Sequence, residues 1–518
     1  MEELPMHHRP VAVAIGGFLC AGRDIGGRKY SFWGIPAAAL EKQGFRVITV
    51  DPSPVGSLHD RACQIFYELK GGTVFYGQEH SRSHGHACHG ETYAAGLFPE
   101  WGGDNPIHVI GHSYGGQTAR VLQHLLSTGF FSKPGEYDTS ATWVRTVTAC
   151  NSPLNGSLLV YSLGERAEAA PAVRVGSHGH LLSVALHAVE LLDLAWLRRI
   201  FNPRLSHFEL SRRTLGWRLA WLELFRAMVG ESAIFSRPDN AAYDMTVHSA
   251  HQWNQEIHTD PNTFYFSLVG TRPELPSKRD RFAEGAVACC RGVRCWIPGL
   301  SRSLPRKCPE EAGLRGRGLP TRLIYWMLQR LHVWQVGAHE REVETRFGVG
   351  AGAWSSAGHD GVLEAYTQSH PRVPQECEAR VSAGLPECAS ALKPGVWHVL
   401  PVLADHMWAH ADEAYVQDTF ERLARSLRMA AAAAPPGPPS GPPLGSPSDL
   451  STAAPAVSVP PPPRETLHRC FAVRRSPRLL AKAQRRAVVP AAAAATVAAP
   501  WSHTWAGAEA GTETRSYR

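Results

Sequence analysis

The sequence predicts an α/β fold with a mostly parallel central sheet flanked by helices. Two observations carry this. Short β-branched apolar runs alternate with longer amphipathic runs over the first 150 residues, the pattern of strands joined by helical crossovers. A serine also stands between two glycines where one apolar strand gives way to a helix, Gly111-His112-Ser113-Tyr114-Gly115.

In chain order, Val11 to Ile15 reads as a strand, Trp33 to Gln43 as a helix and Phe45 to Asp51 as a strand. Leu58 to Leu69 reads as a helix, Ile107 to Gly111 as a strand, Gly115 to Ser127 as a helix and Val144 to Cys150 as a strand. Leu181 to Phe201 is nearly apolar all round. That fits either a buried core helix or a lid over an active site. A second apolar-aromatic helix follows at Leu215 to Val229, and Thr263 to Gly270 is a strand. Residues 271–358 are an irregular insertion with a helical piece near Thr321 to Val333. Val396 to Leu403 is the last strand and Asp412 to Arg428 the last helix.

The domain division follows composition. Residues 1–429 form one catalytic-sized domain, with a lid region at about 178–230. Residues 430–518 are rich in Pro and Ala, lack apolar periodicity and are expected to be disordered. From Met429 onward there are ten Lys/Arg against four Asp/Glu, so six of the chain's seven net positive charges belong to the tail. The body is close to neutral, and nucleic-acid binding is not expected of it. The basic piece Arg464 to Arg486 reads as a solvated charge run.

No run of eighteen apolar residues predicts a membrane span. The first residues carry two Glu before a short apolar run, unlike a secretory signal. Eleven scattered Cys do not suggest a disulfide framework. An intracellular compartment is the expectation.

The pentapeptide fits the G-x-S-x-G nucleophile elbow of the α/β-hydrolase fold, which holds a serine hydroxyl above a sheet. One oxyanion donor is then the backbone N–H of Tyr114 and the other that of Phe18, after Gly16-Gly17. The expected order is Ser, acid, His. Among many candidates, Asp360 lies on a turn before an apolar stretch and His406 lies just past the last strand. On spacing alone, His80, His84, His86 and His89 read as a solvated His-rich loop.

Five segments carry a resemblance: PVAVAIGGF, LHDRACQIFYELKGGTVFYGQEHSRSHGHACHG, IHVIGHSYGGQTARVL, NSPLNGS and YDMTVHSAHQWNQ. Together they resemble the zinc-containing bacterial lipases of the Geobacillus and Staphylococcus type, over about residues 9 to 270. Shorter pieces match at HDGVLEAYTQSHP and ADHM. The resemblance implies an α/β-hydrolase hydrolysing triacylglycerols or other long-chain esters. It implies Ser113 as nucleophile, Asp360 as acid and His406 as base, with the lid at Leu181 to Phe201. It implies a structural zinc held by Asp60, His80, His86 and Asp244.

There are departures. The family's His-Gly-Phe is Gly16-Gly17-Phe18 here, and Tyr114 stands where the family often has Gln. Trp408 occupies the position of a calcium-ligating Glu and no Asp-Pro pair follows, so calcium is not expected. The expected partner is a lipid or ester substrate, with contact at a lipid interface. The alternatives are a soluble esterase, a galactolipase, a phospholipase, or a catalytically silent ligand-binding protein on the same fold.

Overall fold

The computed structural model describes residues 9–20, 32–133, 135–166, 169–271, 358–372, 377–382, 384–386, 388–408 and 411–433. The insertion at 272–357, with its expected helix near Thr321 to Val333, and the tail beyond 433 lie outside the described residues. All described residues fall within the unit Met1–Pro436.

The strands are β1 (Val11–Ile15), β2 (Arg46–Val50), β3 (Gly72–Phe75), β4 (His89–Tyr93), β5 (Ile107–His112), β6 (Val144–Cys150), β7 (Phe264–Thr271), β8 (Ala379–Val381) and β9 (Trp397–Leu403). Seven form one sheet in the order β2-β1-β5-β6-β7-β9-β8. Every pairing in it is parallel. Burial follows position. β1, β5 and β7 are buried along their whole length, as a parallel strand covered on both faces must be. The two edges, β2 and β8, are partly exposed. β3 and β4 form a separate antiparallel hairpin.

The helices that matter for the site are α1 (Gly34–Lys42), α2 (Leu58–Lys70), α3 (Gln78–His84), α4 (Tyr114–Ser127), α5 (Leu159–Leu163), α6 (His178–Leu192), α7 (Ala195–Ile200) and α8 (Arg212–Met228). They are followed by α9 (Ala241–Asp244), α10 (Val247–Glu256), α11 (Ala365–Gln368) and α12 (Glu413–Ala432). One core cluster joins α2 and α4 to one face of the sheet, through Phe66, Leu122 and Val147 among others. A second joins α1 and α12 to the opposite face, through Leu40, Phe266 and Phe420.

Two sequence boundaries are corrected. The single helix expected over Leu181 to Phe201 is two helices, α6 and α7. Asp193 takes a left-handed conformation at φ 43° between them, which Asp tolerates better than most residues. Its carboxylate then pairs with Arg198 at 2.7 Å and Arg213 at 2.5 Å. The last helix runs past Arg428 to Ala432. Alanine is the best helix former, Ala430 is buried, and Arg145 Nε donates to the Ala430 carbonyl at 2.8 Å. The disordered tail expected from residue 430 therefore starts a few residues too early.

The helix α8 is also interrupted, since Gly216 is non-helical at φ 75° and ψ 164°. Beyond it one face, with Ala220 and Leu224, packs on Leu191 of α6. The other face leaves Trp217, Trp221 and Phe225 more than half exposed, and Trp196 of α7 is exposed likewise. No helix among the described residues is long and apolar enough to cross a membrane.

Candidate active site and metal group

The site is built at the carboxyl ends of β5, β7 and β9. Ser113 sits between β5 and α4 at φ 55° and ψ −128°, a region L-residues occupy only when the surroundings impose it. The flanking glycines are what permit the turn. A Cβ on Gly111 would run into the backbone of Gly115, and one on Gly115 into the Ile15 carbonyl of β1. The elbow is locked to the sheet by Ser113 N donating to Cys150 O at 2.8 Å.

His406 lies just after β9, as its sequence position suggested, and Asp360 lies after β7. His406 Nε2 is 3.0 Å from Ser113 Oγ. His406 Nδ1 is 2.8 Å from Asp360 Oδ2. Asp360 Oδ1 accepts from the amides of Val362 at 2.9 Å and Leu363 at 2.7 Å. Burial pushes the Asp360 carboxyl up. The His406 ring, Asn151 and the Leu363 amide outweigh that and hold it below its usual range. The aspartate is thus an acceptor, fit to orient an imidazole.

Two further residues complete this line and had no role in the sequence reading. Asn151 Nδ2 donates to Asp360 Oδ2 at 2.9 Å. Trp408 Nε1 donates to Asn151 Oδ1 at 2.8 Å. Asn151 opens the NSPLNGS segment, but spacing gives no sign that it reaches a carboxylate 209 residues away. His112 Nε2 lies 2.7 Å from the His406 carbonyl, and its ring stacks on Phe32. This fixes the backbone that carries His406.

The Gly16-Gly17-Phe18 loop passes directly over the nucleophile. A Cβ on Gly17 would stand 2.7 Å from Ser113 Cβ and 3.2 Å from its Oγ. The anchoring that a histidine at position 16 would supply comes from elsewhere. Arg61 Nη2 donates to Gly16 O at 2.6 Å, Arg61 also donates to Ser53 O, and its Nε donates to Thr118 Oγ1 at 3.0 Å. Tyr114 is the first residue of α4, where backbone N–H groups have no partner within the helix. Its side chain is buried, with Arg61 over the ring at 4.9 Å.

Beside Phe18 lies an apolar pocket walled by Val160, Leu163, Leu182, Phe235 and Met245. One wall residue is polar. Glu165 is 3% exposed, and burial pushes its carboxyl up to about 7 against a hydrogen bond from the Ala172 amide. A carboxyl raised in this way is neutral in the folded chain at pH values where the unfolded chain already ionises. Stability is therefore full below the ordinary carboxyl range and is lost as pH rises towards 7, by about 2–3 kcal/mol. Glu165→Gln is expected to raise the unfolding temperature at pH 8 and leave it unchanged at pH 4. Equal shifts at both pH values would contradict this.

Away from the triad, Asp60, His80, His86 and Asp239 bring one ligand atom each to within 4.8 Å of one another. Asp60 belongs to α2 and His80 to α3. His86 lies between α3 and β4, and Asp239 just precedes α9. The donor set suits a metal. Asp60 Oδ1, both Asp239 oxygens, His80 Nε2 and His86 Nε2 are buried against one another, with His80 Nε2 3.3 Å from Asp60 Oδ1 and from Asp239 Oδ1, and His86 Nε2 3.2 Å from Asp239 Oδ2. The outer atoms are occupied instead. His86 Nδ1 is 2.9 Å from Ala87 O, and His207 Nε2 is 2.8 Å from Asp60 Oδ2. Such outer contacts orient metal ligands. Burial disfavours the His80 cation, but Asp239 and Asp60 hold its pKa up at about 10.

Asp244, the fourth ligand expected from sequence, is corrected to Asp239. Both Asp244 oxygens are already filled. Oδ2 accepts from Leu58 N at 2.6 Å and Tyr114 OH at 3.1 Å, and Oδ1 accepts from Ser249 Oγ at 3.1 Å and Trp253 Nε1 at 3.2 Å. Asp244 instead ties the start of α2 to the elbow residue Tyr114. Asp239→Asn is expected to weaken metal retention by more than about 100-fold and His207→Asn by about 10- to 100-fold. Asp244→Asn is expected to leave it unchanged. Metal content after dialysis checks all three, and equal losses in Asp239→Asn and Asp244→Asn would contradict the assignment.

Comparison with known proteins fits this geometry. Residues 10–139 match a family model described as "Lipase-like, C-terminal domain". The chain is 29% identical over 287 residues to Lipase 2 of Staphylococcus aureus, covering 51% of this chain and 38% of that protein. It is 28% identical over 287 residues to a lipase of Staphylococcus hyicus, covering 52% and 41%. The crystal structure of S. hyicus lipase aligns with a TM-score of 0.56 at 19% identity, over 82% of this chain and 96% of that one. The chain has the α/β-hydrolase fold. In sequence it is similar to the Staphylococcus lipases. EstA of Clostridium botulinum shares the fold, with a TM-score of 0.51 at 21% identity over 82% of this chain and 88% of that one. The chain spans about two-fifths of the length of the curated relatives it matches.

Proposed function

We propose that the protein hydrolyses carboxylic esters, with long-chain acyl lipids such as triacylglycerols as the substrate class. The observation that carries this is the continuous line from Asp360 through His406 to Ser113 Oγ, at 2.8 and 3.0 Å. In this reading His406 Nε2 takes the Ser113 proton as Oγ attacks the ester carbonyl. The backbone N–H groups of Phe18 and Tyr114 receive the developing oxyanion. The intermediate collapses, His406 returns the proton to the leaving alcohol, and an acyl-Ser113 remains. Water, deprotonated by the same ring, then releases the acid. Asp360 holds the ring tautomer and faces the imidazolium throughout.

Two features favour a lipid over a small soluble ester. The pocket beside Phe18 is walled by apolar side chains, Leu182 of α6 among them, so that a displacement of α6 with the lid would open an apolar path for an acyl chain there. The exposed Trp196, Trp217, Trp221 and Phe225 give α7 and α8 an apolar-aromatic surface suited to a lipid interface. These helices act as the lid. In the same reading Asp60, His80, His86 and Asp239 hold a structural zinc. Two carboxylates and two imidazoles suit its closed tetrahedron, and it would tether α3 and the β-hairpin to α2 and the segment before α9. A panel of esters from two to eighteen acyl carbons, dissolved and emulsified, tests the substrate class. Turnover is expected to rise with chain length and to increase at the emulsion surface. Preference for the shortest esters with no surface dependence would contradict the lipid reading.

A further inference from the structure

The pocket beside Phe18 is apolar except for one residue that does not belong in a plain hydrocarbon slot. Glu165 follows α5, and its backbone is fixed on both sides. Its N–H donates to Val160 O at 3.0 Å, and it forms an isolated bridge with Val173. The side chain is therefore held in the wall with Phe18, Leu163, Leu182 and Phe235. It is 3% exposed, and its Oε1 is buried with no hydrogen-bond partner. No cationic side chain among the described residues acts on its charge state, which burial and the Ala172 amide determine. With α6 in place the space left in the pocket is about 20 Å³, room for one water-sized group, so an acyl chain reaches it with the lid displaced.

A buried carboxyl with one open oxygen costs stability unless something occupies it. A leucine or methionine would fill the same wall without that cost. We propose that Glu165 is a specificity residue, and that its open oxygen receives a hydroxyl or similar small hydrogen-bonding group carried on the substrate's acyl chain. This deepens the ester-hydrolase reading and rests on it. The carboxyl can accept from such a hydroxyl in either protonation state and can donate to it when neutral. A plain alkyl chain leaves the oxygen unpaired, so the discrimination comes from the unsatisfied state as much as from the bond formed.

The test uses the full chain and pairs of acyl esters of one length, one member plain and the other with a single hydroxyl at successive positions. Wild type is expected to favour the hydroxylated ester by about tenfold in kcat/KM at one narrow range of positions. Glu165→Leu is expected to abolish that preference, lowering kcat/KM on the hydroxylated ester by about tenfold relative to the plain one. Glu165→Gln, which can still donate and accept, is expected to retain it within about threefold. A hydroxyl preference near one at every position in wild type means that a water, not substrate, occupies the site, and overturns the proposal whatever the variants do. Equal loss on both esters in Glu165→Leu overturns it too, as a general packing defect. Absence of turnover on any ester removes the ester-hydrolase reading itself, a separate result.

Discussion

Ser113→Ala is expected to lower ester turnover by about 10⁴- to 10⁶-fold with the fold intact. The hydroxyl is the only group the geometry offers for acyl transfer at this position, and His406 Nε2 is within hydrogen-bond reach of it at 3.0 Å. His406→Ala is expected to cost a similar factor. The double variant should be no worse than either single one, because the two groups act as a unit. Asp360→Asn is expected to cost about 10⁴-fold, since it removes the acceptor at 2.8 Å that fixes the ring tautomer. Initial rates on a long-chain ester, with circular dichroism as the folding control, check all four. Losses that multiply in the double variant would argue against a shared step.

Metal removal is expected to have the second largest effect, on stability. Zinc that binds only the native chain adds about 3–4 kcal/mol at a hundred to a thousand times its dissociation constant. For a unit of this size that is several degrees in unfolding temperature. A pocket of about 430 Å³, lined by His59, His80, His84 and Asp239 among others, opens beside two of the four ligands and offers a chelator a route. Chelation should therefore lower the unfolding temperature, and added zinc should restore it. In Asp239→Asn neither treatment should change it. Zinc uptake should also release protons and weaken as pH falls, because imidazole ligands bind the metal in their deprotonated form. An unchanged unfolding temperature after chelation of the wild type would remove the zinc assignment.

The sequence carried the sheet well because its central strands are buried on both faces and so read as unbroken apolar runs. Val11–Ile15 and Ile107–His112 are examples. It carried the elbow because glycines at 111 and 115 are sterically obligatory there. The hairpin β3–β4 and helix α3 were not legible. They are short and largely exposed, and no hydrophobic period marks them. The break at Asp193 was hidden because apolar residues continue on both sides of it.

The site was legible in part for a different reason. The local glycines mark Ser113, and the resemblance singled out Asp360 and His406 among many candidates, whereas Asn151 and Trp408 act through contacts that span more than two hundred residues. Choosing between Asp239 and Asp244 needed three dimensions. Both are buried and stand five residues apart around α9. They differ in what their oxygens face: four hydrogen-bond donors fill those of Asp244, whereas those of Asp239 stand 3.3 and 3.2 Å from the His80 and His86 rings. Likewise Arg61, a residue of the quoted DRAC segment, gave no sign of holding the Gly16 carbonyl.

The central claim is that Ser113 is a nucleophile activated by His406. The most direct measurement is covalent capture by a long-chain alkyl fluorophosphonate, with the adduct located by mass spectrometry. The account predicts a single adduct on Ser113 that is absent in Ser113→Ala and formed at least about a hundredfold more slowly in His406→Ala. An adduct on another residue, or capture at Ser113 that is equally fast without the imidazole, would contradict it.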